Sequence, residues 1–130
     1  MSEENSHVSV KPSESVSKEA EKRVESKSGR KGEPEFHLTE QMRRLSTPWG
    51  IALARARQID PGSLGPGIIL DAAVGSGLQL IAYSSVLKRP SLGVEIDGNV
   101  AVLCAANMFS VAEKDDICLL YTSDAADDVV

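Results

Sequence analysis

The sequence predicts an α/β protein built on a parallel sheet with flanking helices, and three observations carry that reading. A short β-branched run, Ile68-Ile69-Leu70, ends in the carboxylate of Asp71. A turn containing Gly75 and Gly77 follows and opens into an apolar segment at helical spacing. A second apolar run, Leu92 to Ile96, carries Glu95, 24 residues beyond Asp71. Strand, glycine turn, helix and strand together form one βαβ unit of the nucleotide-binding kind.

Each element has a local cause. The first 35 residues run through Ser, Glu, Lys and Val with no aromatic before Phe36, and they hold seven basic and eight acidic residues. So little apolar surface does not offset the entropy of ordering, and the arm is expected to be disordered. Leu38, Met42 and Leu45 then recur at helical spacing, with Arg43 and Arg44 directed elsewhere. A second helix is expected from Pro48 to about Ile59, opened by Ser46 or Thr47 as cap and Pro48 in the first turn, and carrying Arg55 and Arg57. The four arginines read either as a solvated face or as contacts to RNA phosphates. Asp60 to Gly67 is a loop by composition.

The first strand, Ile68 to Leu70, is expected to be buried on both faces. Gly75 and Gly77 remove Cβ atoms where the chain turns and where a ligand approaches the backbone. The helix beginning near Gly77 points its free N–H groups at that ligand. Leu78, Ile81, Ala82 and Leu87 bury one face of this helix, which stops before Lys88-Arg89-Pro90. A further helix from Asn99 to about Val111 brings Ala101, Ala105 and Ala106 close to the sheet, with bulk from Val100, Leu103, Met108 and Phe109. The unit as a whole is Rossmann-like.

Two details select the ligand. Counting from Gly75, a nicotinamide fingerprint wants a small residue where Leu80 stands. Asp71, just before the turn, repels a pyrophosphate and attracts a cationic sulfonium with its amino group. On these residues the chain resembles the class I S-adenosylmethionine-dependent methyltransferases. The resemblance implies S-adenosylmethionine as cofactor, held at Asp71, Ala73, Gly75, Ser76, Gly77, Glu95, Asp97 and Thr47. Asp71 and the glycines would line the methionine side, and Glu95 would accept from the ribose hydroxyls. Ala73 departs from the family, which often has glycine there. Asp97 reads either as part of that end of the site or as the N-cap of the next helix.

Upstream, Ser46-Thr47-Pro48-Trp49-Gly50-Ile51-Ala52 is similar to the Thr-Pro helix of trimethylguanosine synthase-type RNA methyltransferases. That likeness implies RNA as acceptor and places Thr47 and Trp49 near the cofactor pocket or the substrate entrance. The family's sheet has about seven strands, and its amine-binding motif of Asp or Asn with two prolines follows the fourth. No catalytic residue is therefore readable here. Two other readings stay open: an NAD(P)-binding oxidoreductase fragment using Glu95 for the adenosine ribose, and an inactive truncated product.

Cys118 to Asp127 matches the translation of TGT CTC TTA TAC ACA TCT GAC GCT GCC GAC, which resembles a transposase-type sequencing-library adapter. Residues 118–130 are accordingly set apart as an artefact tail, and strand or adenine-side assignments within them are declined. The expected organisation is a disordered arm (1–35), a partial methyltransferase domain (36–117) truncated after two to three strands, and that tail. The formal charge of −5 owes three of its negatives to Asp124, Asp127 and Asp128, so net charge identifies no partner. His7 and His37 have no companions at ligand or triad spacing, and Cys104 reads as a small buried hydrophobe, which disfavours metal and hydrolase chemistry. No run approaches the roughly 20 apolar residues of a membrane span, so a cytoplasmic protein is expected. Reading the message past the Asp116 codon, from a library made without that adapter, should give a different continuation; recovery of the same codons would refute the artefact.

Overall fold

The computed structural model describes residues 12–24, 29–115 and 119–122. Its elements are α1 (Pro12–Glu21), α2 (Glu40–Leu45), α3 (Trp49–Arg57), a 3₁₀ turn (Pro61–Ser63), β1 (Ile69–Asp71), α4 (Leu78–Leu87), β2 (Ser91–Val94), α5 (Gly98–Asp115) and β3 (Leu119–Thr122). The three strands form one parallel sheet in the order β1-β2-β3. Parallel neighbours need long crossovers, and α4 and α5 supply them. The result is a small parallel α/β sheet with flanking helices.

The close approach of helix to sheet is achieved differently from the sequence expectation. Leu80, read as too bulky for a dinucleotide turn, is buried against β2. The space comes from the strand, because a Cβ on Gly93 would lie 2.8 Å from Val74 Cγ2 and 3.1 Å from Leu80 Cδ2. A glycine on the sheet replaces the small residue on the helix. Around this contact Ile81, Leu103 and Met108 complete the core, and Ala101, Ala105 and Ala106 are buried as their spacing predicts.

Several expectations are corrected. Part of the presumed disordered arm is helical: α1 packs on α5, with Ala20 buried and Val16 and Val24 against the core. These three residues recur at i, i+4 and i+8, a stripe that the surrounding charges obscured. The rest of that arm, with His7, lies outside the described residues at 1–11 and 25–28, apart from the turn that begins at Gly29. Leu45 is 78% exposed rather than buried, because α2 starts only at Glu40, with Thr39 Oγ1 accepting from Met42 N–H at 3.1 Å. Leu38 and His37 precede the helix and are buried nonetheless. β2 ends at Val94, leaving Ile96 72% exposed in the turn beyond it.

β1 is not covered on both faces. Leu70 is 62% exposed and pairs in register with half-buried Leu92, and Ile68 is also exposed. Among the described residues β2 is the only strand paired with β1, so its outer edge is open. The segment Leu119–Thr122, set apart above as artefact, pairs in parallel with the other edge of β2. Ladder bonds join backbone to backbone, so the edge accepts a short β-prone segment whatever its origin. Cys118 and the Asp124-Ala125 pair lie outside the described residues.

One buried amide ties these layers to the glycine turn. Asn107, in the middle of α5, is fully buried. Its Oδ1 accepts from His37 N–H at 2.6 Å, and its Nδ2 donates to the carbonyls of Ser76 at 2.9 Å and His37 at 3.2 Å. It thereby holds the entry to α2 and the glycine turn on one helix. Removing it strands buried main-chain groups, each of which costs on the order of 1–3 kcal/mol when unsatisfied. Asn107→Ala should lower unfolding stability by at least about 2 kcal/mol in urea titration; a change within error would show that the three bonds contribute nothing net.

Candidate functional site

The site lies where β1 and β2 end. Past Asp71 the chain turns through Ala73 to Gly77, and the ladder continues one step beyond the strands through Val74 N–H to the Val94 carbonyl at 3.0 Å. Gly75 (φ 58°) and Gly77 (φ 90°) both adopt left-handed backbone, which side chains disfavour. Their surroundings differ. A Cβ at Gly75 would meet open space, whereas one at Gly77 would sit 2.8 Å from Cys104 Sγ. Gly77 is the N-cap of α4 and is pressed against α5, so its role is packing.

Carboxylates shape this turn. Glu95, just after β2, accepts from Gly75 N–H through Oε1 at 2.9 Å and from Asp97 N–H through Oε2 at 3.1 Å. Asp71 Oδ1 accepts from Ala73 N–H at 3.0 Å. Asp97 caps α5, with Oδ1 taking the N–H groups of Asn99 at 2.9 Å and Val100 at 3.3 Å. The capping alternative for Asp97 is thus realised, and its side chain still faces the same space.

That space is a cavity of about 740 Å³. Asp71, Ala73, Gly75, Ser76, Glu95, Asp97 and Thr47 all line it. Of the eight residues assigned to the cofactor in the sequence, Gly77 alone does not reach the wall. The opposite wall is built by α2 and the segment after it, through Thr39, Gln41, Met42, Leu45, Ser46 and Thr47. Two side-chain hydrogen bonds hold that wall to the turn: Ser46 Oγ to Ser76 Oγ at 2.8 Å, and Thr47 Oγ1 to Gln79 Oε1 at 3.1 Å. Neither Ser46 nor Thr47 caps α3, which starts after Pro48 without a side-chain cap. Their hydroxyls are used instead to close the cavity.

The lining holds three carboxylates and no Lys, Arg or His among the described residues. Such a cavity disfavours a pyrophosphate and favours a ligand with positive charge and hydroxyl donors. Compared with protein-family models, curated proteins and solved structures, the chain matches none. Its functional reading therefore rests on the site. Among the described residues no three His, Cys, Asp or Glu side chains are placed to hold a metal ion together, and no helix is long and apolar enough to cross a membrane.

Sequence reasoning overlooked Gln79 and Asn107. Both carried a signal: each is an amide inside an apolar helical run, where a polar group needs a partner. Trp49 does not line this cavity; it lines a neighbouring one with Phe36, the ring centroids 5.4 Å apart.

Cys104 reports on the buried side of the site. Burial, then the negative charges of Glu95 and Asp71, push its thiol from the ordinary 9.0 up to about 12. The folded state keeps this proton after the unfolded chain has lost it, so the stability is intact below pH 9 and falls as pH rises from there toward about 12. Cys104→Ala should flatten the alkaline limb of a stability-against-pH curve; an unchanged limb would place its origin elsewhere.

Proposed function

We propose that the acidic cavity binds S-adenosylmethionine and that the chain is the cofactor-binding part of a methyltransferase. The observation that carries this reading is the lining itself: three carboxylates around a glycine turn with open space at Gly75, and no basic side chain among the described residues. A sulfonium and an α-amino group are stabilised there by the field of Asp71 and Asp97. A dinucleotide would bring two phosphate charges to the same carboxylates, which weighs against the NAD(P) alternative.

The residues divide the work by chemistry. Glu95 has acceptor capacity left on each oxygen after its two amide bonds, enough to take a pair of ribose hydroxyls. Gly75 lets the ligand approach the main chain without a Cβ. Ser46 and Thr47, fixed to Ser76 and Gln79, screen the cavity from the side of α2. When bound, the cofactor supplies an activated methyl group on a positively charged sulfur, and the protein's part is to orient it and exclude water.

Calorimetric titration of the purified chain should show binding of S-adenosylmethionine and no comparable binding of NAD. Asp71→Ala and Glu95→Ala should each weaken it by about 1.5–3 kcal/mol, the worth of one hydrogen bond to a charged group. Unchanged affinity in both variants, or a preference for NAD, would overturn the proposal.

A further inference from the structure

One hydrogen bond joins the arm helix α1 to the wall of the acidic cavity. Arg23, in the turn that closes α1, donates through Nη1 to Asn99 Oδ1, and Asn99, in the first turn of α5, lines the cavity. Arg23 is not itself part of that lining. The same guanidinium donates through Nη2 to Glu19 Oε2 at 2.9 Å, a bond inside the arm that travels with it.

We propose that α1 is an autoinhibitory latch: docked on α5, it lowers the acidic cavity's affinity for a cationic ligand through Arg23 and Asn99, and binding of that ligand releases it. The latch rests on the reading of that cavity as the S-adenosylmethionine site. α1 is held loosely enough to leave. A helix of ten residues does not persist in water by its own propensity. Its apolar hold on the core is Val16, Ala20 and Val24, of which only Ala20 is fully buried. The ion pairs of Lys22 and Arg23 with Glu19 lie within the arm, so they contribute nothing to docking. Docked and released forms are therefore close in free energy, and a ligand that prefers one of them shifts the balance.

Hydrogen-bonding capacity and charge set the sign of the coupling. An amide side chain offers one acceptor oxygen and two N–H donors. With α1 docked, a guanidinium occupies the oxygen of Asn99, brings positive charge to the wall and leaves the amide with its donors. Each change opposes a ligand that carries a sulfonium, an ammonium and hydroxyl donors. With α1 released, the oxygen is free to accept from that ligand. The net charge of the helix does not produce the effect, because Glu14, Glu19 and Glu21 balance Lys18, Lys22 and Arg23 between Pro12 and Val24. The placement of Arg23 does. By linkage, a ligand that binds better with α1 released must favour that release by the same factor.

The full chain is titrated calorimetrically with S-adenosylmethionine as the wild type and as Arg23→Ala, Ala20→Gln and Lys22→Ala. Tryptic cleavage after Lys18 and Lys22 is followed in the wild type with and without the ligand. Arg23→Ala removes the contact and Ala20→Gln places an uncompensated polar group in the docking face, so both should tighten binding about fivefold or more. Lys22→Ala removes the same charge one residue away, at an exposed position, and should bind as the wild type does. Saturating ligand should speed cleavage of the arm, because the protease reads the population of the released form. Unchanged or weaker binding in both Arg23→Ala and Ala20→Gln, or protection of the arm by the ligand, would overturn the latch and leave the cofactor reading intact. Equal tightening in Lys22→Ala and Arg23→Ala, or tightening in Ala20→Gln alone, would overturn the route through Asn99. Absence of binding in all four chains would overturn the cofactor reading, and the latch with it.

Discussion

The buried amide of Asn107 is the constraint on which the rest of the site depends. A lone polar side chain in the middle of an apolar helix is tolerated only when its donors and acceptor are satisfied, and here the segment entering α2 and the glycine turn satisfy them together. Both walls of the acidic cavity are consequently referred to one point on α5. The Ser46 to Ser76 and Thr47 to Gln79 bonds then set the distance between those walls at their rim. A shift of α5 would move the turn and α2 together, conserving the cavity's shape while changing its place relative to the sheet.

The same economy governs the βαβ unit. Nucleotide-binding turns commonly remove side chains from the helix so that it can lie close to the strand. This chain keeps Leu80 on the helix and removes the side chain from the sheet at Gly93. The contact that results is larger and more apolar than a glycine on the helix would allow, and Val74 joins it. Leu80 therefore does not by itself exclude a dinucleotide, since the helix reaches the strand anyway. What disfavours a dinucleotide is the negative charge of the cavity lining.

How much was legible in the sequence follows from how local each cause is. The glycine turn, the stop before Lys88 and the alanine face of α5 are written in contiguous residues, the convergence of Asp71 and Glu95 follows from their places at the ends of two paired strands, and the structure places them as the pattern implies. Thr47 reads as a helix cap in the sequence, yet its hydroxyl bonds Gln79, 32 positions away, and it lines the acidic cavity. α1 was missed because three apolar residues in a charged arm gain their stability only from α5. The exposure of Leu70 was misread because an apolar strand looks the same from its sequence whether one neighbour or two lie beside it. Tertiary partners, absent from any local window, decide each of these cases.

In the proposed site, recognition and architecture would share the atoms of Glu95. Its two oxygens hold the amides of Gly75 and Asp97, and the same oxygens face the cavity. The shape of the turn and the means of reading a ligand are then one degree of freedom. A ligand bound in this cavity would place two demands on that one position, and specificity could then vary through the α2 wall, where Gln41, Met42 and Leu45 line the cavity without holding the turn.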